Sequence, residues 1–293
     1  MKRFSGTYTA LVTPFAGEEI DYKSLDRLLQ QQLDGGVDGF VVNGTTAESP
    51  TLTFLEVEKL FRHIRNFCGS KTDLILGVGS NSTVKTIEAS KKAEQWGADG
   101  TLVVVPYYNK PPQRGLVAHF KAVAESVQIP NILYNVPGRT ITALSKESIV
   151  ELSKVSNIVG IKEASGNSEF ASDIRKAVHP EFTLLSGDDV TYVEFLGVGG
   201  QGVISVATHV IPKQMVQWRK WVQENQIEKA RADIKKYDNL INLLFCEANP
   251  IPVKKALQLM GILKSGSLRL PLMELTPELT EKLKSEMKAL EIL

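Results

Sequence analysis

The chain repeats one pattern eight times: a short apolar run rich in β-branched residues, then a longer amphipathic stretch. The runs lie at 8–12, 39–42, 74–78, 101–105, 131–134, 158–161, 183–185 and 203–206. They are near-continuous in apolar character, as strands buried on both faces are. Apolar residues recur at helical spacing over 21–33, 53–67, 83–96, 114–126, 146–155, 169–178, 190–196 and 212–225. Several of these stretches carry end signals. Thr53 with Glu56 three residues on makes a capping box, and Ser145 stands at an N-cap. Gly35-Gly36 and Gly97 stand where left-handed C-caps close helices. Eight strand-then-helix units predict an α/β fold of the closed (β/α)8 TIM-barrel kind, with an open doubly wound sheet as the competing architecture. Residues 226–293 lack strand signals, and 227–245, 253–260 and 277–290 read as helices. The predicted organisation is a barrel over 1–225 that carries the site and a C-terminal helical appendage over 226–293.

Composition excludes several classes. The 293 residues carry a net charge of +1 and no basic tract, unlike a nucleic-acid binder. Cys68 and Cys246 make neither a disulfide framework nor a metal cluster, and His63, His119, His179 and His209 have no ligand spacing. No apolar run approaches the roughly 18 residues of a spanning helix. The start, MKRFSGTYTALVTPF, lacks a long apolar core and a cleavage site. The expectation is a cytoplasmic protein with no cofactor, no metal, and neither a nucleic-acid nor a membrane partner.

In a barrel of this kind, chemistry sits in the loops after the strands. Lys162 follows the apolar run Ile158-Val159-Gly160-Ile161, which carries it into the barrel mouth. Desolvation disfavours the charged form of an amine and supplies the free base that attacks carbonyls. The competing readings are a lysine snorkelling to solvent or paired with Glu163. Tyr134 ends the preceding strand, so its hydroxyl is expected near that amine, ready to exchange protons with a bound carbonyl oxygen. Otherwise it is a core tyrosine. Arg139, after Pro137 and Gly138, offers a planar fork to a carboxylate or is a plain surface arginine. Thr45 and Thr46 offer two hydroxyls in a turn, a weak signal alone. Gly197-Val198-Gly199-Gly200-Gln201-Gly202 matches a dinucleotide fingerprint, but it precedes a strand and reads as the turn into strand eight. Asp188-Asp189 after strand seven would repel a phosphate, so an unphosphorylated substrate is expected.

Gly44-Thr45-Thr46-x-Glu48-Ser49, Tyr107-Tyr108-Asn109-Lys110-Pro111, Tyr134-Asn135-Val136-Pro137-Gly138-Arg139-Thr140 and Lys162-Glu163-Ala164 together resemble the dihydrodipicolinate synthase family. That family lies within the pyruvate-dependent aldolase superfamily of N-acetylneuraminate lyase. The likeness spans essentially the whole chain, including Asn249-Pro250-Ile251-Pro252-Val253-Lys254. It implies a lyase that condenses pyruvate with aspartate 4-semialdehyde to 4-hydroxy-tetrahydrodipicolinate, for lysine and diaminopimelate biosynthesis. Lys162 would form a Schiff base with pyruvate, and Tyr134 would shuttle protons. Thr45 and Tyr108 would complete a relay, with Tyr107 borrowed across a dimer interface. Thr46 would help hold the pyruvate carboxylate and Arg139 the semialdehyde carboxylate, while Gly187, Asp188 and the Ile204 backbone would line the pocket. A homotetramer built as a dimer of dimers is implied.

Two departures stand out. Ala47 replaces the usual glycine. At positions matching the family's lysine-inhibition cleft, Ser49 and Asn81 are retained but Phe54, Val57 and Lys85 stand where acidic and histidine residues are usual, so weak or absent feedback inhibition is expected. The competing activity is an N-acetylneuraminate lyase or 2-keto-3-deoxy sugar acid aldolase using the same lysine, against which Arg139 argues. A catalytically retired barrel is the competing non-enzyme reading, and it would be expected to have lost Lys162, Tyr134 or Arg139.

Overall fold

A computed structural model describes residues 2–293. Its barrel strands are β1 (Gly6–Ala10), β2 (Gly39–Val42), β3 (Asp73–Gly77), β4 (Gly100–Val104), β5 (Asn131–Asn135), β6 (Ile158–Glu163), β7 (Thr183–Ser186) and β8 (Gly202–Ser205). They close in the order β1-β8-β7-β6-β5-β4-β3-β2, so each strand lies beside its neighbour in sequence and β8 beside β1. β5 and β6 are buried at every residue, which is why the code reads as continuous apolar runs without alternation. The closed parallel barrel with helices between strands is therefore the observed fold, and it is followed by C-terminal helices.

The helices are α1 (Tyr22–Asp34), α2 (Phe54–Cys68), α3 (Thr83–Gln95), α4 (Gln113–Glu125), α5 (Pro137–Thr140), α6 (Lys146–Leu152), α7 (Ser168–Ala177), α8 (Tyr192–Gly197), α9 (Pro212–Gln223), α10 (Ile227–Ile234), α11 (Asp238–Leu243), α12 (Ile251–Leu259) and α13 (Pro277–Ala289). The Thr53–Glu56 capping box forms with both reciprocal bonds. Ser145 caps α6 by accepting from the Ser148 N–H. Of the expected C-cap glycines, Gly36 and Gly97 are left-handed, whereas Gly35 is right-handed.

Contacts within the chain group into two units. One holds Asp73–Ile204 with the segment that ends at Gly6, and the other holds Thr7–Thr72 with Ser205–Leu293. The first has a core that includes Leu133, Ile161 and Leu184, none more than 1% exposed. Each such side chain contributes roughly 1.5–3 kcal/mol by leaving water. The second is centred on side chains such as Phe40, Leu60 and Trp218. The Trp218 indole N–H is satisfied by Asp233 at 2.9 Å.

The helix expected over 227–245 is broken. A 3-10 turn at Lys235–Tyr237 separates α10 from α11 and sets Tyr237 edge-on to Trp218 at 5.6 Å. A single turn, α5, stands where only a loop was expected: Pro137 at its first position suits a helix start, and the Thr140 hydroxyl donates to the Val136 carbonyl. A two-residue antiparallel pair, Phe15–Ala16 with Glu19–Ile20, also lies between β1 and α1.

Candidate active site

The register of β5 on β6 builds the first part of the site. Tyr134 faces Lys162 across the ladder, and Asn135 faces Glu163. Successive residues of a strand point to opposite faces, so the two pairs separate. On one face the Lys162 amine lies 4.4 Å from the centroid of the Tyr134 ring. The contact is with the ring face, and no hydrogen bond joins the two side chains among the described residues. Lys162 is 6% exposed and Tyr134 8%. That excludes a lysine snorkelling into bulk water.

On the other face Glu163 is fully engaged. Asn135 Nδ2 donates to one carboxylate oxygen at 2.7 Å, and the Ser165 N–H donates to the other at 2.6 Å. Burial pushes the Glu163 carboxyl above the usual carboxylate range, and those hydrogen bonds oppose the shift. The Lys162–Glu163 pairing weighed from sequence is thereby excluded. Among the described residues no carboxylate pairs with the Lys162 amine. Asn135 also accepts from the Leu144 N–H at 3.0 Å, which anchors the far end of the segment carrying Arg139.

Gly187 lies under the lysine. A Cβ there would stand 2.8 Å from Lys162 Cε and 2.6 Å from Ala164 Cβ. Asp188 is half-buried and accepts from the Thr191 hydroxyl at 2.7 Å, while Ile204 is buried in β8. Arg139 is exposed on α5. Tyr107 is 39% exposed and Tyr108 86%, the latter at φ 74°, so neither is drawn into the buried floor that Lys162 occupies. Of the expected set, the structure brings Lys162, Tyr134 and Gly187 together and leaves Arg139, Tyr107 and Tyr108 at the surface.

Thr45 and Thr46 belong to the other unit, in a 3-10 turn, Thr45–Ala47. Thr46 is buried and accepts from Asn249 Nδ2 at 2.8 Å, which leaves its own hydroxyl hydrogen to be donated. Ala47 needs no glycine: its φ is not positive, its methyl is buried, and its carbonyl accepts from the Thr13 hydroxyl at 2.9 Å. Glu48, which ends the turn, is buried against Lys254 of α12. Sequence reasoning gave no role to Glu48, Asn249 or Lys254. The one available signal was a lysine on the apolar face of a helix.

Ser49 and Asn81 are half-buried, Asn81 accepting from Asn109 through its carbonyl, and Lys85 is exposed in the first turn of α3. The buried histidines have structural surroundings. His209 accepts from the Val12 N–H at 3.2 Å, and His119 meets the Thr83 hydroxyl at 2.9 Å. Among the described residues no group of three His, Cys, Asp or Glu is placed to hold a metal. No helix among them is long and apolar enough to cross a membrane.

A (β/α)8 barrel holds a buried lysine, with no carboxylate partner among the described residues, at the end of β6 against a tyrosine of β5, and its likeness to known proteins shows an enzyme of the lyase class. The model of the Dihydrodipicolinate synthetase family matches residues 3–290, and the chain belongs to that family. It is 69% identical, over the full length of both chains, to the 4-hydroxy-tetrahydrodipicolinate synthase of Bdellovibrio bacteriovorus. The dihydrodipicolinate synthase of Thermotoga maritima superposes with a TM-score of 0.97 at 40% identity, covering 100% of each chain. The enzyme from Cyanidioschyzon merolae, solved with lysine bound, does so at 0.95 and 44% identity, again covering 100% of each.

Proposed function

We propose that the protein condenses pyruvate with aspartate 4-semialdehyde through a Schiff base on Lys162, giving 4-hydroxy-tetrahydrodipicolinate for diaminopimelate and lysine biosynthesis. The observation that carries this reading is the Lys162 amine: buried, on the Tyr134 ring, and without a carboxylate partner among the described residues. The free amine adds to the keto carbon of pyruvate, and loss of water gives an iminium. The iminium is an electron sink, so a methyl proton leaves to give an enamine rather than a free carbanion. The enamine carbon attacks the aldehyde of the semialdehyde and forms the new carbon–carbon bond. The semialdehyde amino group then adds to the iminium carbon and expels the Lys162 amine, closing the ring. Tyr134 moves protons during imine formation and cyclisation.

Thr46 has a hydroxyl hydrogen to give the pyruvate carboxylate, and the exposed Arg139 guanidinium meets the carboxylate of the incoming semialdehyde. Thr45 and Tyr108 complete the proton relay, while Gly187, Asp188 and the Ile204 backbone line the pocket. The protein is a cytoplasmic homo-oligomer, a dimer of dimers, and the exposure of Tyr107 and Tyr108 supports a second chain that covers them.

The test is reductive trapping. Incubation with pyruvate and borohydride should leave a stable adduct on Lys162, located by mass spectrometry, and aspartate semialdehyde should be turned over while N-acetylneuraminate is not. Absence of an adduct refutes the Schiff base. An adduct with turnover of the sugar acid alone assigns the chain to the sugar-acid aldolases.

A further inference from the structure

The chemistry above leaves a fully enclosed ion pair without a task. Glu48 ends the Thr45–Ala47 turn in the left-handed region, at φ 59° and ψ 39°. Both its carboxylate oxygens are bonded. Lys254 Nζ donates to one at 2.6 Å, and the Arg269 backbone N–H donates to the other at 2.9 Å. The Glu48 and Lys254 side chains have no solvent exposure at all. The ring of Phe15 meets two cations, with the Lys254 amine at 4.3 Å and the Arg269 guanidinium at 4.5 Å from its centroid. Arg269 also donates to the Thr51 carbonyl at 2.8 Å and pairs with Glu56 in the first turn of α2. Just before α12, Asn249 donates to the Thr46 hydroxyl oxygen.

A buried ion pair seldom stabilises a fold more than apolar residues of the same size would, and its best-attested use is to fix one arrangement among several. Through Glu48 it fixes the corner of the turn that presents Thr45 and Thr46. Glu48 is a non-glycine residue in a conformation that L residues rarely take, and a carboxylate tied at both oxygens holds it there. The Asn249 amide can only donate through its nitrogen, so the Thr46 oxygen is the acceptor and its hydrogen points elsewhere.

We propose that Asn249 and the Glu48–Lys254 pair are positioning residues for substrate binding. The pair locks the corner of the threonine turn, and Asn249 directs the Thr46 hydroxyl hydrogen to a bound carboxylate. The C-terminal helices thus set the geometry of a turn that lies more than 200 positions earlier in the chain. This rests on the reading of Thr46 as a ligand of the pyruvate carboxylate.

A mutant cycle on the full-length enzyme tests it. Asn249→Ala and Thr46→Val should each raise the KM for pyruvate roughly three- to tenfold, the span of one hydrogen bond. In Asn249→Ala, kcat at saturating pyruvate should stay within about twofold of the parent. The double variant should show no further rise, because Asn249 acts only through the hydroxyl that Thr46→Val removes. Additive effects, or an unchanged KM in Asn249→Ala, overturn the proposal. Glu48→Gln combined with Lys254→Met keeps volume without charge; it should fold, raise the pyruvate KM and leave the semialdehyde KM alone. A parental pyruvate KM in that variant means the pair is structural only and overturns its positioning role; if the variant does not fold, the Asn249–Thr46 cycle decides. Trapping of the parent with pyruvate and borohydride runs alongside. Failure of that control sinks the Schiff-base reading, whereas a trapped parent with additive variants sinks only this inference.

Discussion

Gly187→Ala tests how Lys162, the lysine proposed to form the Schiff base, is held. The Gly187 N–H donates to the Glu163 carbonyl at 2.7 Å, so the backbone there cannot drift from β6. An added methyl would stand 2.6 Å from Ala164 Cβ, 2.8 Å from Lys162 Cε and 3.0 Å from Lys162 Cγ. Carbon atoms rest about 3.5–4.0 Å apart, so roughly 1 Å must be found. Ala164 cannot supply it by turning a side chain, and its own N–H is tied to the Asn135 carbonyl at 2.9 Å. The displacement therefore falls mainly on the Lys162 stem. Overpacking by a methyl costs about 1–3 kcal/mol, which for a chain of this size lowers the melting temperature by roughly 2–5 °C. Misplacing a reacting group by about 1 Å costs on the order of a hundredfold in rate. The variant should therefore stay folded but lose about two orders of magnitude in kcat/KM, and borohydride trapping at Lys162 should slow in parallel. Turnover and trapping both within threefold of the parent would refute the claim that Gly187 seats the lysine.

Two further outcomes follow from the buried histidines and from α3. Burial lowers His119 and His209 to about 4, against about 6.5 in an unfolded chain, so between those values the unfolded state holds more protons and stability is lost as the pH drops. Each should cost about 2 kcal/mol between pH 7.5 and pH 5, partly offset by Glu163, whose raised pKa favours folding in acid. Denaturant midpoints that do not move over that range contradict the assignment. Lysine should inhibit turnover weakly or not at all, because Lys85 is an exposed cation in the first turn of α3 and Val57 is a buried aliphatic. Half-inhibition at micromolar lysine in a steady-state assay would overturn this.

The strands were legible because burial on both faces writes a continuous apolar run. All eight begin and end within two residues of where the runs place them. The breaks were less legible. Nothing in 235–237 departs from helical spacing, and the 3-10 turn there goes with the packing of Tyr237 on Trp218, a contact made only in the folded chain. At the site, Lys162 and Tyr134 could be paired from sequence because consecutive barrel strands are neighbours, so separation along the chain did not hide them. Glu48 and Lys254 could not, since 206 positions separate them and no strand pattern relates a turn to a helix so far away.

The choice between a reactive lysine and an ordinary ion pair was undecidable from the dipeptide Lys162-Glu163 alone. A carboxylate within about 4–6 Å favours the charged form of an amine, the form that cannot attack a carbonyl. The pleat removes the ion pair: adjacent residues of β6 point to opposite faces, and Asn135 of β5 takes up Glu163 on the face away from Lys162. That same outward pair pins the register that sets Tyr134 against Lys162 on the inner one. A slip of one residue would exchange the two faces, placing the carboxylate where the amine now stands. The hydrogen bond that fixes the fold at this point is therefore also the one that keeps the amine free of a counter-charge.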